Sequence, residues 1–242
     1  MSRTTSYPQT MPPTRPEISS DGPEPARTRW AQLATSADHK DIGRILVSVA
    51  FGSIFLAALE LLLMRAQLAV PENVFLKGVT FDRLLSVYGE TAIFLVALPL
   101  IIGLLYYVVP LQIGSRTTAI PRVGQTGLWL FIFGGILLYG SFLFTPPEAG
   151  INPLPPFSDA TFNPNNGVDV WIGSTGLITL GLLMVAIDLL ATLHNLRAPG
   201  MAWRRAPLFT WAGAIVTWLF VVIAPIFLAA LSMLMIDRLY DG

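Results

Sequence analysis

Residues 84–114 read LLSVYGETAIFLVALPLIIGLLYYVVPLQIG. Roughly 20 apolar residues are enough for a helix to cross the hydrocarbon core of a bilayer, and this run exceeds that length. Near its start stands a polar cluster, Tyr88-Gly89-Glu90-Thr91, which bare hydrocarbon would penalise. Pro99 lies inside the run, and the basic turn SRTTAIPR follows it. A membrane helix of this kind packs against neighbours, and its polar cluster is a candidate cofactor site.

The rest of the chain has the same character. Of its 242 residues 53% are hydrophobic and 12% charged, about half the charge of a soluble domain, and the mean hydropathy is +0.62. The class is an all-α integral membrane protein. Four more apolar spans are expected at about 44–64, 127–145, 170–193 and 208–236, beside the one at about 84–109. They form one membrane domain over residues 29–242. Residues 1–28 contain six prolines and almost no large apolar side chains, so this tail is expected to be disordered. It has no apolar segment that would make it a secretory signal. Trp30 suits the headgroup layer. There is no cysteine, which excludes disulfides, iron–sulfur clusters and thiolate ligands. His39 and His194 are the only histidines.

Five spans place the termini on opposite sides. The tail, the second-to-third turn and the fourth-to-fifth turn carry 11 of the 15 bases. The positive-inside rule then puts the N-terminus in the cytoplasm and the C-terminus outside. Pro99 and Pro225 favour kinks, and Gly103, Gly134, Gly135, Gly176 and Gly181 allow helices to approach closely.

Several stretches, in order from Trp30 onward, resemble subunit I of the haem–copper oxygen reductases, the cytochrome c oxidase family. These are ADHKDIGR, ELLLMRAQLAVPEN, the 84–114 run with its exit, IPRVGQTGLWLFIFGGILLYGSFLF, TLHNLRAPGMAWRRAPLFTWA and LSMLMIDRLYD. The resemblance implies the first five helices of a twelve-helix fold, so a truncated member is expected. It also implies a bacterial inner-membrane location. The family's HPEVY segment and later paired histidines, which supply copper ligands and haem ligands, have no counterpart in this chain.

The resemblance also exposes what has changed. The family's HGTTMIF falls on Tyr88 to Phe94, which puts Tyr88 at the low-spin haem ligand position. A neutral phenol is a poor iron ligand. The family chemistry calls for two imidazoles on the low-spin haem, one on the reactive haem and three on copper, against two histidines here. The family's proton-uptake Asp falls on Thr117, its Asn pair on Gly124 and Gln125, and another Asn on Tyr106. Neither histidine is expected at mid-membrane, and His39 is expected to hydrogen-bond at the cytoplasmic edge.

Three acids, Glu60, Glu90 and Asp188, lie within spans, where an acid is by default a functional candidate. Glu60 is expected to pair with Arg65 or anchor at the headgroups. By the resemblance, Glu90 stands for a Thr and Asp188 for an Asn. Each is expected to hydrogen-bond a partner helix rather than form a proton wire. No catalytic residue, metal site or cofactor is expected, and Tyr88, Phe94, Tyr106, Tyr107 and Trp129 are expected to help fill a vacated haem volume.

Three functions fit. The first is a non-catalytic subunit I-like protein serving as a structural or accessory subunit of a respiratory or other electron-transfer complex. The second is the N-terminal part of a split oxidase completed by another chain, with electron transfer and proton pumping. The third is a proton conduit or assembly factor. Other membrane subunits and lipid are the expected partners, and nucleic acid is not.

Overall fold

The computed structural model describes residues 36–70, 75–144, 146–147, 158–159 and 163–240. The tail, Trp30 and most of the third-to-fourth loop lie outside the described residues. Five helices among them are long and apolar enough to cross a membrane, and no strand occurs among the described residues. They are α1 (His39–Leu68), α2 (Gly78–Gln112), α3 (Pro121–Gly140), α4 (Gly167–Asn195) and α5 (Leu208–Tyr240). Each extends beyond its apolar window at one or both ends. A backbone leaving hydrocarbon gains nothing by unwinding at once, and polar caps extend it. At the start of α1, Asp38 accepts the Lys40 amide at 3.0 Å.

α2 departs from a regular α-helix. Residues Thr91–Ala97 form a π-helical stretch, in which the Leu98 amide reaches back five residues to the Ile93 carbonyl. Pro99, two residues further on, has no N–H for the Leu95 carbonyl. The wide turn accommodates that missing bond within a continuous helix. Pro110 also lies inside α2, near its end.

α4 is the most buried helix and α5 the least, with α1 next. α4 packs on α2, α3 and α5, and α1 packs chiefly on α2. Small residues bring the closest pairs together. A side chain at Gly181 would stand 2.5 Å from the Gly127 carbonyl and the Phe131 amide, and one at Gly134 would meet Ile178 at 2.7 Å. Gly43 and Gly103 do the same for α1 and α2. Of the glycines expected to mediate contacts, Gly176 faces open space, while Gly43 and Gly127 were not foreseen.

Two turns interlock at the end of the bundle where α2 leaves and α4 ends. The Ala198 amide donates to the Ile113 carbonyl at 3.0 Å. Gly114 there has φ +74°, which a side chain would strain. Thr210 of α5 donates to the Gln112 side chain at 2.7 Å.

Candidate functional site

The buried polar groups form two layers, one toward each end of the bundle. At the end bearing the basic turns, the Tyr106 hydroxyl donates to Asp188 Oδ2 at 2.5 Å. Asp188 Oδ1 accepts the Ile120 amide at 2.6 Å. One turn along α4, Thr192 donates to the Asp188 carbonyl at 2.7 Å and accepts the Ala119 amide at 2.9 Å. Tyr106, Asp188 and Thr192 have no solvent exposure. The unit fastens α2, α4 and the turn that starts α3. Gly124 makes room for it, because a side chain there would overlap the Tyr106 hydroxyl and stand 2.9 Å from Asp188 Oδ2. Tyr106, Gly124 and Asp188, three positions that the resemblance marks as altered, meet here.

His39 is buried beside this layer, but the hydrogen bond expected of it is not formed. Its Nδ1 lies 3.2 Å from Asp38 Oδ1 without hydrogen-bond geometry, and Nε2 has no partner. Asp38 directs that oxygen at the Lys40 amide instead.

At the opposite end, Tyr139 of α3 donates to Glu60 Oε1 of α1 at 3.1 Å. Thr91 in the π-helical stretch lies 2.8 Å from the same hydroxyl. Glu60 does not pair with Arg65. Five residues along a helix is about 140° around it, so the two side chains leave on different faces. Glu90 accepts the Thr175 hydroxyl at 3.2 Å. The two acids thus bond neighbouring helices, Glu90 to α4 and Asp188 to α2. Thr175 and Asp188 are thirteen residues apart on α4, roughly 20 Å. No hydrogen bond among the described residues joins the two layers.

Tyr88 is half-buried on α2, one turn before the π-helical stretch. The five aromatics expected to share one vacated volume are dispersed. Tyr106 is committed to Asp188. Phe94 stacks on Phe227 at 5.5 Å, Tyr107 lies under Arg44 at 5.6 Å, and Trp129 meets Phe133 at 5.8 Å. An apolar cleft of about 350 Å³ opens between α1 and α3, lined by Val49, Ser53, Leu95, Phe131 and Tyr139 among others, and none of the five lines it. Among the described residues no three His, Asp or Glu side chains stand together as a metal site.

One site escaped the sequence reading. Arg238, near the end of α5, is buried. Its Nε donates to Asp169 at 2.6 Å, and its Nη1 and Nη2 donate to the carbonyls of Ser158, Asn163 and Asn165. One guanidinium therefore binds the start of α4 and the segment before it to α5. In sequence it was only one of four bases on the less basic side. The signal was its place in LSMLMIDRLYD, one of the stretches that carry the resemblance.

These features define a multi-pass helical membrane protein in which buried polar side chains serve as crosslinks between helices. The particular family follows from comparison. Residues 41–241 match the model for the cytochrome c and quinol oxidase polypeptide I family, and the chain belongs to that family. It is 40% identical to cytochrome c oxidase subunit 1 of Bacillus subtilis over 219 residues, covering 88% of this chain and 35% of that protein. For the Corynebacterium glutamicum subunit 1 the identity is 36%, covering 95% of this chain and 39% of that protein. For the cytochrome bo(3) ubiquinol oxidase subunit 1 of Buchnera aphidicola it is 36%, covering 88% and 33%. The chain spans between 33% and 39% of the length of these curated relatives.

Proposed function

We propose that this chain is a non-catalytic subunit I-like protein, a structural or accessory subunit within a respiratory or other electron-transfer complex of a bacterial inner membrane. The observation that carries the reading is the Tyr106–Asp188 unit. A proton path needs small polar groups that hold water between titratable sites. At one position where the resemblance places such a group, the Tyr106 phenol closes on the Asp188 carboxylate at 2.5 Å, and Gly124, a second such position, gives them space. That arrangement favours a fixed crosslink over a relay.

The haem ligand position supports the same reading. A haem with imidazole on both faces does not fit the residues present. Position 88 on α2 offers a phenol, and the two imidazoles stand at the basic end, at the start of α1 and the end of α4. We therefore expect no haem and no copper on this chain. The basic turns lie in the cytoplasm in this account, by the positive-inside rule.

Extraction of the native complex in mild detergent tests the proposal. The chain should co-purify with other membrane subunits in fixed ratio, and Tyr88→Phe should leave that ratio and any oxygen consumption unchanged. The likeness to oxidase subunits favours one second reading, the N-terminal part of a split oxidase. It predicts a companion chain bearing the histidine ligands, and oxygen consumption that collapses when Tyr88 is replaced.

A further inference from the structure

The turn from α4 to α5 forms a cleft of about 450 Å³ lined by His194, Asn195, Arg197, Ala198, Met201, Ala202 and Trp203. We propose that this cleft binds the phosphate of an anionic phospholipid headgroup. The proposal rests on charge, geometry and position, and it is independent of the redox reading.

Charge comes first. Among the described residues, this end of the bundle carries seven bases, Lys40, Arg44, Arg116, Arg122, Arg197, Arg204 and Arg205, against three acids, Asp38, Asp41 and Asp188. Asp188 is buried against Tyr106, and Asp41 lies near Arg44 on α1. No carboxylate pairs with Arg197 among the described residues. The opposite end places its buried cation, Arg238, on Asp169.

Geometry comes second. The Arg197 guanidinium lies 4.5 Å from the centre of the Trp203 ring. Stacking uses the flat face of a guanidinium and leaves its N–H edge free, and that edge fits two oxygens of a phosphate. The ring is itself held in place. Trp203 packs on Trp211 at 5.0 Å, its carbonyl accepts the Trp211 indole N–H at 3.0 Å, and His194 meets it edge-on at 5.6 Å. Asn195 lines the cleft beside Arg197 and adds an amide donor.

Position comes third. Trp203, Trp211 and Trp218 mark this face as the membrane–water boundary, where indoles settle. A phosphate in the cleft would lie at headgroup level, with its acyl chains running down exposed apolar surface on α5, such as Ile215, Leu219 and Val222. A basic pocket between helices at this depth is the physical form of an anionic lipid site.

Native mass spectrometry of the full chain tests this, with phosphatidylglycerol and phosphatidylcholine offered in equal amounts. Phosphatidylglycerol should be retained in preference. Arg197→Gln should weaken its retention about fivefold, the amount expected for one interfacial charge. Arg122→Gln, on the same face but outside the cleft, should retain the preference. If Arg197→Gln fails to fold, Arg197→Lys keeps the charge but loses the flat fork, and should fall between the two. Millimolar inorganic phosphate should not displace the lipid. Equal retention of both lipids, an Arg122→Gln effect as large as that of Arg197→Gln, or binding of inorganic phosphate in place of lipid would each overturn the proposal.

Discussion

At the scale of single residues, Tyr106 and Asp188 show how a buried polar group is tolerated in a membrane bundle. Each is useful only with the other. Removing the phenol oxygen in Tyr106→Phe leaves Asp188 Oδ2 without its partner and should cost about 1–3 kcal/mol in a thermal or denaturant titration in detergent. Gly124→Ala should cost a similar amount or more, because the new methyl overlaps that hydroxyl. In the Tyr106→Phe background the closest overlap is gone and only Asp188 Oδ2 at 2.9 Å and the ring Cζ at 3.1 Å remain, so Gly124→Ala should cost less there than in the wild type. Equal costs in the two backgrounds would mean that the three positions are not one unit. This partnership was not legible in the sequence. The resemblance marked all three positions as altered, one by one. Residues 82 apart in the chain give no sign that they touch. Glu60 teaches the converse. Arg65 was its nearest base in sequence, but helical periodicity turns the two apart and Tyr139, 79 residues away, takes its place. Arg238 was only one base among those of the less basic side, since its partners come from the start of α4 and the segment before it.

At the scale of elements, the five helices were legible because length and apolar content are local properties. Their packing was legible only in part. Glycine content suggests close approach but not which face of a helix meets another. Gly181 touches backbone, with the Gly127 carbonyl and the Phe131 amide both 2.5 Å from where a side chain would begin. Backbone cannot rotate away as a side chain can. Gly181→Ala should therefore cost about 1–3 kcal/mol by forcing α3 and α4 apart, whereas Gly176→Ala, facing open space, should stay within about 0.5 kcal/mol. Melting both variants side by side checks the packing of α3 on α4. Arg238 acts between elements as well. Arg238→Ala would leave the Ser158 and Asn163 carbonyls without their donor, while the part-exposed Asp169 keeps water, and should cost about 1–3 kcal/mol. Arg238→Lys, which keeps charge but cannot reach several carbonyls at once, should recover part of that.

At the scale of the whole molecule, two kinds of contact hold the five helices together, interlocked turns and close glycine approaches. The turns interlock through Ala198 and Ile113, and α3 meets α4 through Gly127 and Gly181. On the proposed reading, Tyr88 stands at the position the resemblance gives to the iron ligand, and Tyr106 and Gly124, at its proton-path positions, belong to the crosslink with Asp188. On the proposed reading, the polar cluster in residues 84–114 is a set of interhelical fasteners, with Glu90 on Thr175 and Thr91 on Tyr139, and holds no cofactor. The absorption spectrum of the purified chain, with pyridine haemochrome quantification, tests that claim most directly. The account predicts no haem in stoichiometric amount. One haem per chain with a low-spin spectrum would contradict it.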